Sequence, residues 1–114
     1  MNLYAFHEKV GKIALTFPGA FEKPSYGTPG FFVEKKLFAR IREDGETLVV
    51  YNNDRDEWIA SDGDIFFFTD HYKNYPLLLI DLKRVSKEDL VKLLTISWKI
   101  RASKKLVKDF NDDE

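Results

Sequence analysis

Between residues 31 and 80 the apolar side chains come in short runs, and almost every run ends in a turn signal. Phe31-Phe32-Val33 is followed by Glu34-Lys35-Lys36, and Leu37-Phe38-Ala39-Arg40-Ile41 leads into Glu43-Asp44-Gly45-Glu46. Thr47-Leu48-Val49-Val50-Tyr51 ends at Asn52-Asn53. Runs of this length read as strands, and connections this tight join antiparallel neighbours. Ile65-Phe66-Phe67-Phe68 and Leu77-Leu78-Leu79-Ile80 read as two further strands. Simple alternation puts Arg40, Arg42 and Phe38 on one face of their strand, and Leu37, Ala39 and Ile41 on the other.

Helical periodicity brackets these strands. Leu3, Phe6, Val10, Ile13, Ala14 and Phe17 recur at three- and four-residue steps, which predicts a helix over 2–17 with Asn2 as its cap. Glu8 and Lys12 form an i,i+4 pair on its outer side. Residues 18–30 hold three of the four prolines and three of the six glycines, and read as a shaped loop. Asp54 is placed to cap a short helix over 55–61, with Trp58 and Ile59 turned inward. Ser86-Lys87-Glu88-Asp89 has capping-box form and opens a helix running to about residue 101, with Leu90, Leu93, Leu94 and Trp98 as its buried stripe. The expected fold is α+β and two-layered, in the order α-β-β-β-α-β-β-α, with a mostly antiparallel five-stranded sheet packed against helices. The expected core includes Phe6, Val10, Ile13, Phe38, Leu48, Val50, Phe67, Leu79, Leu90, Leu94 and Trp98.

At 114 residues the chain has room for one domain, drawn here over 1–108 with an acidic C-terminal tail at 109–114. It has no cysteine, which excludes disulfides, thiolate metal sites and a cysteine nucleophile. No apolar run reaches the length of a membrane span, and Met1-Asn2-Leu3-Tyr4 lacks the features of a signal peptide. The expectation is a monomeric cytoplasmic protein without a cofactor, without contact with a membrane, and with DNA or another protein as its partner.

The formal net charge of −1 hides an asymmetry. Residues 83–108 carry nine basic and two acidic side chains, whereas residues 1–82 carry nine basic and thirteen acidic ones. A basic segment of this kind meets phosphates, or it forms a solvated helix face. Lys99, Arg101, Lys104 and Lys105, with Arg40 and Arg42 in support, are the candidate phosphate contacts. Tyr26, Tyr72 and Tyr75, with His71, are candidates for stacking on bases or lining a pocket.

Asp70, His71, Tyr72 and Tyr75 are also the residues that would serve an enzyme. Yet no nucleophile elbow accompanies them, and Asp70 and His71 are chain neighbours, which ordinarily point apart. The two histidines, His7 and His71, match no metal-binding spacing. The expectation is a protein that is not an enzyme and holds no metal.

Several motifs occur together in order. They are Phe17-Pro18-Gly19-Ala20, Ser25-Tyr26-Gly27-Thr28-Pro29, Lys36-Leu37-Phe38-Ala39-Arg40, Phe67-Phe68-Thr69-Asp70-His71-Tyr72, Tyr75-Pro76 and Trp98. In these the chain resembles the MmcQ/YjbR family of small bacterial proteins, over roughly residues 3–106. The resemblance implies a fold similar to secretion chaperones and CyaY-like proteins, with helices against one face of a five-stranded antiparallel sheet. It also implies DNA binding. The frataxin-like proteins of that fold neighbourhood bind iron on an acidic ridge, but Asp54, Asp56 and Glu57 here are explained by a helix start. The alternative function is a protein-interaction or small-ligand module using loops 24–30 and 69–76.

Overall fold

A computed structural model describes residues 5–112. Helix α1 spans His7–Ala14, shorter than its periodicity suggests. Its cap position falls on Phe6, and Asn2 lies outside the described residues. The predicted Glu8–Lys12 pair forms at 3.3 Å.

The next segment corrects the sequence reading. Residues 20–33 are not a loop leading into a strand but a hairpin of β1 (Ala20–Ser25) and β2 (Thr28–Val33). Tyr26 and Gly27 form its two-residue turn, both with positive φ, 53° and 78°. That is the turn geometry whose twist matches paired strands. Its closing pair, Ser25 opposite Thr28, is the hydrogen-bonded kind, and pairs alternate along a ladder. Pro24 therefore faces Pro29 in a pair that needs no N–H between the two strands. β1 is the sheet's edge strand, where proline is tolerated.

Strands β3 (Lys36–Ile41), β4 (Thr47–Tyr51), β5 (Phe66–Phe67) and β6 (Leu77–Asp81) complete one antiparallel sheet in the order β1-β2-β3-β4-β6-β5. It has six strands rather than five, and β1 is the addition. Helix α2 (Arg55–Ser61) lies between β4 and β5; Asp54 occupies its cap position, but its side chain makes no capping hydrogen bond. Helix α3 spans Lys87–Arg101, and the Ser86 hydroxyl caps it by accepting from the Asp89 amide at 3.1 Å. Helix α4 spans Lys104–Asp112, continuing past the boundary drawn at 108.

Between β2 and β3 the register slips. Phe32 faces Leu37 and Phe31 faces Ala39, so Phe38 is an extra, bulged residue. A bulge shifts the alternation of sides. Phe38 consequently joins Ala39 and Ile41 in the core, and Leu37 joins Arg40 along the opposite face. The parity expectation for Phe38 and Leu37 fails for this reason. Helix α3 serves the carbonyls at the bulge with two side chains one turn apart. Ser97 Oγ donates to the Phe38 carbonyl and accepts from the Tyr51 amide at 2.8 Å. Arg101 Nε donates to the Leu37 carbonyl at 2.9 Å.

The core lies between the helices and one sheet face, built on Val10, Ala14, Ile41, Leu48, Val50, Leu78, Ile80, Leu90 and Leu94. Trp98 is fully buried, stacks on Phe17 and donates to the Pro18 carbonyl at 3.2 Å. Phe110 of α4 packs on the rings of both Phe17 and Trp98. Of the residues expected in the core, Phe6, Ile13 and Phe67 are half-buried and the others are buried.

Candidate functional site

The opposite sheet face holds a recess of about 610 Å³. Its floor is apolar and comes from three neighbouring strands: Leu37 of β3, Val49 of β4 and Leu77 of β6. Tyr26, from the β1–β2 turn, stands on one side, and His71, Tyr72 and Tyr75, from the β5–β6 connection, stand on the other. The two loops named from sequence thus meet at one site, 45 residues apart at Tyr26 and His71 in the chain.

Arg40 is the buried cation of this site, with its side chain only 11% exposed. Its Nη1 donates to Thr28 Oγ1 at 2.9 Å and to Glu43 Oε1 at 3.1 Å. Burial opposes its charge, but hydrogen bonding to Glu43 and Tyr72 outweighs burial and holds its pKa above the ordinary arginine value. Glu43 is held below the usual carboxylate range by its own backbone amide and then by Arg40. The guanidinium lies 5.7 Å from the centre of the Tyr26 ring. Tyr26 itself is 90% exposed, and Tyr75 is 58% exposed. The His71 ring meets Tyr72 edge-on at 4.9 Å.

Arg55, at the start of α2, holds the second wall in place. Its Nη1 donates to the carbonyls of Tyr72, Tyr75 and Leu77 at 2.7–2.9 Å, and its Nη2 donates to that of Lys73. The same guanidinium lies 3.9 Å above the Phe68 ring. Sequence reasoning missed Arg55, because its partners are backbone carbonyls, which carry no residue signature. It missed Thr28 and Glu43 as well; the three-residue step from Arg40 to Glu43 was the available signal for the latter.

The six candidate phosphate contacts do not gather. Arg40 lies along the open sheet face, bonded to Glu43. Arg101 is half-buried, tied to the Leu37 carbonyl and 4.2 Å from the Tyr51 ring. Arg42 is half-buried just beyond β3. Lys99 is exposed on α3 near the Phe110 ring, and Lys104 and Lys105 are exposed on α4, in the helical layer.

A larger recess of about 710 Å³ runs along α1. Its polar groups are already matched to one another, His7 with Glu22 at 2.9 Å and Lys12 with Glu8. Among the described residues, no three histidine or carboxylate side chains are grouped to hold a metal ion, and no helix is long and apolar enough to cross a membrane.

Fold and recess together define a two-layer α+β domain that carries a small, tyrosine-rimmed groove on the sheet face away from its helices. The chain belongs to the YjbR family, whose model matches residues 15–100. It is similar to an uncharacterized protein of Mycobacterium bovis, 36% identical over 52 residues, which are 46% of this chain and 40% of that protein. Uncharacterized proteins of two Mycobacterium tuberculosis strains match with the same identity and coverage. The match thus spans about two fifths of the length of these curated relatives. No solved structure matches the chain.

Proposed function

We propose that this YjbR protein is a non-enzymatic, monomeric, cytoplasmic binding protein whose ligand seat is the groove between Tyr26 and the 69–76 segment. The observation that carries this reading is the state of Tyr26. A bulky residue at φ 53° is disfavoured by about 1 kcal/mol or more, and this one also leaves its ring 90% exposed. Asparagine would suit the turn better. Strain of this kind, beside a recess floored with apolar side chains, fits a ring displayed for a ligand.

Support for a non-enzymatic role comes from the groove's bonding. Its guanidinium is tied to Glu43 and Thr28, and among the described residues no hydrogen bond couples His71 to a hydroxyl or carboxylate. Support for a monomer comes from β1, the long exposed edge, where Glu22, Lys23 and Pro24 discourage strand addition. The test is chemical-shift mapping with a fragment collection. Shifts confined to Tyr26, Leu37, Arg40, His71, Tyr72 and Tyr75 support the groove; a collection that leaves them unmoved rejects it.

DNA binding is the second reading. It is favoured by exposed Lys99, Lys104 and Lys105, which form no ion pair among the described residues. It has lost Arg40 and Arg101 to internal bonds. Titration of labelled single- and double-stranded DNA at several salt concentrations tests it. Binding that weakens steeply with salt, and with Lys104→Ala and Lys105→Ala, supports it; no binding at low salt rejects it.

A further inference from the structure

We infer that the groove takes a planar heteroaromatic ring without net charge, of nucleobase or indole size, stacked against Tyr26. This rests on the reading of the groove as the ligand seat, and it follows from how the charges there are matched.

Three guanidiniums lie at or near the groove, and each has an internal partner. Arg40 is bonded to Glu43 and Thr28, Arg55 to four backbone carbonyls, and Arg101 to the Leu37 carbonyl. Glu43 also lines the groove, with its side chain 63% exposed. A phosphate or carboxylate entering here would meet that negative charge and would have to displace it from Arg40. The site therefore selects against anions.

What remains on offer is π surface and a mixed polar edge. Tyr26 and Tyr75 present exposed rings, and Leu37, Val49 and Leu77 supply an apolar floor. Every flat aromatic ring has a face to stack on a phenol. Glu43 can accept hydrogen bonds from the ring's edge, and the phenols and imidazole of Tyr26, Tyr72, Tyr75 and His71 can both donate and accept. An aliphatic ligand would use the floor but neither the rings nor the polar edge. A heteroaromatic with donors and acceptors on its rim uses all three.

The experiment is a set of titrations of the full chain, followed by NMR shifts and tyrosine fluorescence. Adenosine and indole are the uncharged heteroaromatic probes, inorganic phosphate the anion, cyclohexanol the aliphatic control, and a short oligo-deoxyadenosine tests whether the ring is read within a strand. Adenosine or indole is expected to move Tyr26, Arg40 and Tyr72 saturably, changing less than about twofold between roughly 50 and 200 mM salt. Adding a phosphate to the nucleoside is expected not to tighten binding. Tyr26→Asn is expected to weaken it by about tenfold or more. The inference is overturned if phosphate or cyclohexanol moves the groove while adenosine and indole do not. It is also overturned if affinity rises with each added phosphate and collapses with salt. Those outcomes leave the groove as the seat, whereas silence of the groove toward every probe removes that reading too.

Discussion

The guanidinium of Arg55 donates to the carbonyl of Tyr72 at 2.9 Å, across 17 positions of chain. That bond is one of four from the same side chain, three to the irregular segment between β5 and β6 and the fourth to Leu77, the first residue of β6. The segment between β5 and β6 has one turn of 3-10 helix, at Asp70–Tyr72, and a few isolated turn bonds such as Tyr75 N–H to the Tyr72 carbonyl to satisfy its own backbone. A planar fork of donors supplies what regular structure does not. The tyrosine wall of the groove is thus fixed by a residue at its back that does not line the recess.

Arg55→Gln removes the charge and most of the donors. The change is expected to destabilise the fold by about 1–2 kcal/mol, because four carbonyls, two of them part-buried, lose charge-assisted partners. Amide exchange is expected to speed up over residues 69–76 far more than over α3. Lysine is not a rescue, since a point charge cannot reproduce the fork. Urea unfolding together with hydrogen exchange checks both points; exchange that rises uniformly contradicts a local role.

Ser97→Ala tests the bulge. Its hydroxyl stands between the Phe38 carbonyl and the Tyr51 amide, where β3 and β4 no longer pair directly. Ser97 is fully buried, so the variant strands a donor and an acceptor without water. A loss of about 2–4 kcal/mol in urea unfolding is expected, and a loss under 1 kcal/mol would show that the strands repair the gap themselves.

Gly30→Ala tests the hairpin that the sequence did not reveal. A Cβ there would sit 2.9 Å from the Ser25 Cβ and 3.1 Å from the Lys23 carbonyl oxygen. Both neighbours belong to β1, so the strand itself would have to move. Destabilisation of about 1–3 kcal/mol is expected from thermal or urea unfolding, and a neutral outcome contradicts the β1–β2 register.

Asp44 makes stability depend on acid. Burial raises its pKa, but hydrogen bonds from the Glu46 amide and from the hydroxyl and amide of Thr47 together hold it below the ordinary aspartate value. A lowered folded pKa means stability that is present above the unfolded value of about 4 and is lost as pH falls through the folded one. Asp44→Ala is expected to melt below the parent at neutral pH, and the gap is expected to close on acidification. A gap that is constant from pH 7 to about pH 2.5 contradicts this.

How far the sequence spoke depends on what each feature is made of. Helix α3 was legible because Ser86, the Leu90–Leu94 stripe and Trp98 are side-chain signals, and each does what its type predicts. Strand β1 was not, because an exposed edge strand with a proline shows neither alternation nor apolar content. Simple alternation misplaces Phe38 because a bulge is a backbone event, invisible to counting by two. The tyrosines and Arg40 could be named from sequence, but their meeting needs the six-stranded order that brings β3, β4 and β6 side by side. The charge of Arg101 is visible in sequence, whereas the Leu37 carbonyl it serves is not.

The most direct test of the account is Tyr26→Asn, measured twice on the same sample. The account predicts that thermal stability rises, by about 0.5–1 kcal/mol, because asparagine tolerates the left-handed backbone better than tyrosine. It predicts that adenosine or indole binding at the groove falls about tenfold in the same variant. A variant that binds as the parent does, or one that loses stability along with binding, would contradict the claim that Tyr26 is held under strain for a ligand.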